Sequence, residues 1–190
     1  FIWFIKEKSL VPETLFDRRA LAEILKKFQC DEQSSTYYQA ILQNLFFATL
    51  NQQMDKRAFA REGAFEAHKQ EYGVKTLLRY ADQFAIAKEE ALALFADIPF
   101  LNGGLFDCLD KEDERGRVVY VDGFSRNPHK RAQVPDILFF MPQEREVDLS
   151  AAYDPSSKKP LLRKVRGLFD ILNSYKFTVA ENTPVEEEIA

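Results

Sequence analysis

A mainly α fold, bundle-like, with a small β element and an irregular proline-containing segment, is what this sequence predicts. Three observations carry that expectation. Apolar residues recur at three- and four-residue spacing in several separate segments, which is the period of a helix with one buried face. Only 7 Gly and 8 Pro occur in 190 residues, so turns do not crowd the chain. Aromatic residues make up 13%, with 17 Phe and 7 Tyr, which points to one core built on large rings.

The elements follow in order. Positions 1–8 read as the last turns of a helix, broken at Leu10-Val11-Pro12. Asp17 is placed to cap a helix over 18–28, with Leu21, Ile24, Leu25 and Phe28 on one face. Ser34 or Ser35 is placed to cap a longer helix over 36–54. Its wide stripe of Tyr38, Ile41, Leu42, Leu45, Phe46, Thr49 and Leu50 marks it as the central core helix. Residues 55–72 are more charged and read as loop with some helix. Short helices are predicted over 74–80 and 88–96, the second turning Leu92, Leu94 and Phe95 inward.

The character changes at Pro99 and Asn102-Gly103-Gly104, which interrupt the helical run. A solvated turn is expected over 110–116 and one short strand over 117–121. Pro128, Pro135, Pro142 and Pro155, with Pro160 just beyond, make 122–157 irregular. Ser156 or Ser157 is placed to cap a helix over 158–173 striped by Leu162, Val165, Phe169 and Leu172. A strand over 176–179 precedes an acidic tail. The division is a helical block over 1–97, a turn-rich segment over 98–157, and a basic helix with a linker over 158–190, all within one structural domain.

Net charge is −4, so no global field draws the chain to phosphate, and any nucleic-acid contact needs a local patch. Cys30 and Cys108 are far apart, without a CxxC motif, and His68 and His129 complete no zinc spacing. The apolar opening is cut short by Lys6-Glu7-Lys8, too soon for a membrane span or a signal peptide, so a cytoplasmic location without membrane contact is expected. The first residue is not Met and the last residues carry no closing signal, so the chain reads as a fragment of something longer.

Four constellations bear on chemistry. Asn127-Pro128-His129-Lys130 has part of the Asn-Pro-Pro-aromatic loop with which amino-methyltransferases hold a flipped adenine. It lacks the second proline and the ring, so an ordinary turn is the expectation. Pro135-Asp136 with Glu144-Arg145-Glu146 has part of a metal-binding nuclease set. Glu146 stands where the lysine is needed and paired strands are not foreseen, so a solvated loop is expected. Gly103-Gly104 lacks the spacing of a phosphate-cradling loop and reads as a tight turn. The fourth is the basic set Lys158, Lys159, Arg163, Lys164 and Arg166, joined by Arg126, Lys130 and Arg131 as candidate contacts to a DNA backbone. On a helix, 159, 163 and 166 would share one face and could meet phosphates. The alternative is a solvated face paired with the acidic tail.

Phe1-Ile2-Trp3-Phe4-Ile5-Lys6-Glu7-Lys8, the run from Tyr38 to Asn51, and Ile98-Pro99-Phe100-Leu101-Asn102-Gly103-Gly104-Leu105-Phe106 form an ordered series. Val121-Asp122-Gly123-Phe124-Ser125, Val134-Pro135-Asp136-Ile137-Leu138-Phe139-Phe140 and the run from Gly167 to Pro184 continue it. The series resembles the helical region just upstream of the methyltransferase core in large single-chain adenine-specific DNA methyltransferases, including type IIG restriction-modification enzymes and phage-exclusion methylases. The resemblance implies a parent enzyme that uses S-adenosylmethionine on double-stranded DNA. It places the cofactor loop and the Asn-Pro-Pro-aromatic loop beyond this chain, and any nuclease before it. No catalytic, cofactor-binding or metal-binding residue of this chain follows from it. The expected role is a connector that docks intramolecularly on the methyltransferase core; the alternative is a module that docks neighbouring domains without touching DNA.

Overall fold

The computed structural model describes residues 2–60, 77–101, 111–112, 114–115, 118–119, 132–153, 155–156 and 159–174. Helices dominate them, beside two two-stranded antiparallel ladders. Helix α1 (Ile2–Glu7) buries Trp3 and Ile5, and a 3-10 turn over Glu13–Phe16 buries Leu15 and Phe16. Helix α2 (Arg18–Ile24) starts as expected: Asp17 Oδ1 accepts from the backbone N–H groups of Arg19 at 2.9 Å and Ala20 at 2.8 Å. It stops at Ile24 rather than at 28. There Leu25 turns extended and bridges Phe84, Lys26 N donates to Gln83 O at 2.8 Å, and Ala85 N donates to Ile24 O at 2.8 Å. Pairing with a distant segment replaces the last helical turn.

The central helix α3 (Tyr37–Thr49) is wound as a π-helix, with bonds closing five residues back, as from Leu50 N to Leu45 O at 2.9 Å. Two side chains favour that winding. Asn44 Nδ2 donates to Ala40 O at 2.8 Å, occupying the acceptor an α-helix would offer the Asn44 amide, and Thr49 Oγ1 donates to Asn44 O at 2.9 Å. The consequence is burial almost all round, with Ile41, Leu42, Gln43, Asn44 and Leu45 consecutively buried, rather than the single stripe expected. Tyr37, not Tyr38, is the fully buried ring.

Both ends of α3 are satisfied from far away in sequence. Neither Ser34 nor Ser35 caps it; Asp136 does, with Oδ1 accepting from Tyr37 N at 3.0 Å and Oδ2 from the Ser34 hydroxyl. At the other end the buried Arg57 donates to Thr49 O at 2.9 Å and, from its other amino group, to Phe95 O at 2.6 Å and Ala96 O at 3.0 Å. One guanidinium thus serves the C-terminal carbonyls of α3 and of helix α4 (Lys88–Ala96). Helix α4 spans the predicted 88–96 and buries Ala91 and Phe95, with Leu92 and Leu94 partly buried against the core.

The helix expected over 74–80 is not formed in its described part. Leu78 pairs with the strand-like segment at Phe59, donating to Ala58 O at 2.9 Å, and Tyr80 is left-handed at φ 60. Strand β1 (Lys111–Glu112) pairs with β2 (Val118–Val119), so half of the ladder lies where only a solvated turn was expected. The irregular stretch contains strand β3 (Arg145–Asp148) and helix α5 (Ser150–Tyr153). The helix expected over 158–173 is instead strand β4 (Leu162–Val165) followed by helix α6 (Leu168–Asn173). The strand expected over 176–179, the Gly103-Gly104 turn and Asn127-Pro128-His129-Lys130 lie outside the described residues.

Gly167 explains the break before α6. A Cβ there would sit 2.6 Å from both Met141 N and Phe139 O, so the chain passes against the 139–141 backbone as only glycine permits. That approach brings Phe169 into the core, where its ring meets Phe140 at 5.1 Å, Phe16 at 5.4 Å, Trp3 at 5.7 Å, and Tyr37 and Phe139 at 5.8 Å. One ring therefore ties together α1, the 13–16 turn, α3, the 139–140 segment and α6. Gln43 is the contrary case, fully buried with neither amide atom hydrogen-bonded.

Replacing Phe169→Ala should cost about 3–5 kcal/mol of stability in urea unfolding, and Phe169→Leu clearly less. Gln43→Met, nearly isosteric and apolar, should stabilise by about 1 kcal/mol because it removes the uncompensated burial of an amide. A destabilised Gln43→Met protein would show that the amide is satisfied in solution.

Candidate nucleic-acid interface

Of the described part of the basic set, Arg163 and Lys164 sit on the β3–β4 ribbon. Its register pairs Arg145 with Val165, Glu146 with Lys164, Val147 with Arg163 and Asp148 with Leu162. Side chains alternate along a strand, and directly opposed residues point to the same side. One face therefore carries Arg145, Val147, Arg163 and Val165, and the other Glu146, Asp148, Leu162 and Lys164. The ion pairs agree with this sidedness. Lys164 Nζ lies 3.3 Å from Glu144 Oε1, a residue one step before Arg145 and so on the mixed face.

On the arginine face, Arg145 Nη1 reaches Glu32 Oε1 at 3.1 Å and Arg163 Nη1 donates to Leu162 O at 2.8 Å. Arg166 follows the strand and is exposed. Every residue of β3 is exposed, as are three of the four in β4, so among the described residues no layer covers the ribbon. Asp148 closes its connection: Oδ1 accepts from Ser150 N at 2.9 Å, Ser150 Oγ at 2.6 Å and Leu161 N at 3.0 Å. The Ser150 hydroxyl, followed by the Ser150 amide, holds that carboxyl below its ordinary value. Closure is thus supported above the ordinary carboxylate range and lost as pH falls through the depressed value.

The shared helical face of 159, 163 and 166 does not exist. Arg163 belongs to β4, Arg166 lies beyond it, and Lys159 sits in a bend before Pro160. Lys158, Arg126, Lys130 and Arg131 lie outside the described residues. A period of two, not 3.6, sorts the charges, so Lys164 and Arg163 point to opposite sides.

The nuclease-like set also separates. Paired strands are present at 145–148, contrary to expectation, but Asp136 is buried under the N-terminus of α3 while Glu144 and Glu146 are exposed on the ribbon. Nor is Asp136 in a solvated loop. Its backbone N–H donates to Ser34 O at 2.8 Å, and Val134 N donates to Ser35 Oγ at 2.9 Å, which docks 134–136 on the start of α3. Among the described residues no group of three His, Cys, Asp or Glu could hold a metal ion. Burial is the leading influence on the Asp136 carboxyl and raises it above its ordinary value, against the hydrogen bonds from Ser34, Tyr37 and Thr36. Sequence reasoning missed this cap because its partner lies about a hundred residues away.

Reasoning from sequence also missed a cleft of about 400 Å³ beside the ring cluster. Phe16, Phe140 and Phe169 contribute to its lining, together with Arg18, Arg19 and Asp170. Met141 N donates to Asp170 Oδ2 at 3.3 Å at its edge. Among the described residues no helix is long and apolar enough to cross a membrane. Comparison with protein-family models, curated proteins and solved structures gives no match to this chain.

Asp136→Asn keeps one acceptor and loses the other, and should cost about 1–3 kcal/mol. Because the folded value is raised, the folded state holds the proton more tightly than the unfolded chain. The contribution of Asp136 is therefore greatest below the ordinary carboxylate value and falls as pH rises through the raised one. Urea unfolding of both proteins across acidic pH should show the gap between them narrowing as pH rises; a widening gap would show that hydrogen bonding outweighs burial.

Proposed function

We propose that this chain is a non-catalytic, bundle-like helical connector of a larger adenine-specific DNA methyltransferase of the restriction-modification kind, positioning the catalytic core on duplex DNA. The ordered series of segments quoted above supports the reading. One observation of the fold carries it further: Trp3, the Phe139-Phe140 pair and Phe169, from three segments of that series, meet in one ring cluster. Segments so far apart in sequence act as one body, and a connector needs rigidity to hold a reacting centre in place. S-adenosylmethionine would belong to the methyltransferase core, and this chain would contribute orientation rather than a reacting group. Cytoplasmic placement accompanies this reading.

A second reading, a module that docks neighbouring domains without DNA, has its own support. Leu138, Tyr153, Leu162, Leu168 and Ile171 are large apolar side chains exposed in the C-terminal part.

The test is methyl transfer. The polypeptide that carries this chain should move labelled methyl groups from S-adenosylmethionine to adenine N6 in duplex DNA. The 190-residue chain alone should give no saturable heat with the cofactor in calorimetry. A parent without adenine methylation, or micromolar cofactor binding by the chain alone, would overturn the proposal.

A further inference from the structure

We infer that the arginine face of the β3–β4 ribbon is a contact surface for the phosphate backbone of double-stranded nucleic acid; the choice of duplex rests on the connector reading above. The sidedness is the primary observation. The register gathers Arg145 and Arg163 on one face with only Val147 and Val165 between them, and places Glu146 and Asp148 on the other. Across 144–166 there are six basic and four acidic residues, in a chain whose net charge is −4. Positive charge is thus concentrated on an element that projects one sign on one side.

The geometry favours a groove. A two-stranded ribbon with both faces open is marginal by itself, and such a ribbon fits a major groove about 12 Å wide. Arginine, with its planar fork of donors, suits phosphate oxygens better than lysine does. The pair between Arg145 and Glu32 leaves the two side chains half exposed and largely exposed, so exchanging it for a phosphate costs little. The ribbon is also fixed at its root. Its strands leave from the 139–142 segment and return to Gly167, both packed on the ring cluster, so its direction is set by the core.

The experiment uses the whole chain and a random-sequence 24-base-pair duplex, followed by fluorescence anisotropy across a salt series. Wild-type affinity should fall steeply with salt. Arg145→Ala and Arg163→Ala together should flatten the slope of log affinity against log salt by about 2 units, following the loss of about 0.9 per phosphate contact. The corresponding double change to Lys should keep most of the slope, since it keeps the charge. Lys164→Ala, on the opposite face, should leave the slope within about half a unit of wild type. Circular dichroism should show all variants folded, because the substituted residues are exposed.

The proposal fails if the wild-type chain binds no duplex, if the Ala double variant keeps the parent slope, or if Lys164→Ala flattens it as much. It also fails if the Ala double variant loses binding to a polyglutamate peptide but not to duplex, which would make the face a dock for acidic protein. Methyl transfer separates the two proposals. A flattened slope with no adenine methylation keeps the ribbon contact and removes the connector, whereas methylation with an unchanged slope does the reverse.

Discussion

The central helix holds because charged and polar groups from distant parts of the chain complete its hydrogen bonding. An isolated helix leaves its first N–H groups and last C=O groups unsatisfied, and burying them without partners is expensive. Asp136 supplies acceptors at the start of α3 and Arg57 supplies donors at its end. In the middle, Asn44 Oδ1 accepts from Arg79 N at 2.7 Å while its Nδ2 donates to Arg79 O at 2.8 Å, clamping the 78–80 segment to the helix. Arg57 is buried and its guanidinium is pushed down by that burial, yet it meets carbonyl oxygens from two helices. Three separate segments are thereby anchored to one helix through directional bonds rather than by apolar contact alone.

The ring cluster is built on that frame. Tyr37 is the residue whose amide Asp136 caps, and its ring packs against Phe140 at 4.9 Å and Phe139 at 5.2 Å. The cap and the aromatic contact therefore act on the same two segments, and each holds the geometry the other needs. Burial keeps the Tyr37 hydroxyl protonated far above the ordinary range, so the ring acts as an apolar body in the core. Close passage of Gly167 then admits Phe169 between Trp3 and Phe139, and the C-terminal segment becomes part of the same core.

This arrangement gives the exposed ribbon its place. The arginine face is not itself part of the core and is stabilised by little beyond eight paired residues and the Asp148 turn. Its orientation comes from the two ends that enter the ring cluster. A surface proposed to meet a long, regular polyanion gains from such mounting, because charges held on a fixed frame lose less freedom on binding than charges on a mobile loop.

Local patterns in the sequence were enough for α2 at its start, where Asp17 caps its own helix, and for α4, whose apolar spacing marks a helix whatever surrounds it. They also identified 36–54 as helical and central, since so apolar a run has to be buried, although the helix formed is shorter, Tyr37–Thr49. Tertiary structure alone decided the rest. Residues 162–165 read as one turn of an amphipathic helix, but pairing with 145–148 makes them a strand, and the spacing that joined 159, 163 and 166 gave way to alternation. Leu25 leaves its helix because Phe84 offers a backbone partner. Asp136 is a cap and not a loop residue because α3 starts beneath it. The division has one physical reason: interactions within a helical turn are encoded by neighbours, whereas strand pairing, remote capping and close backbone passage depend on which distant segment the fold brings alongside.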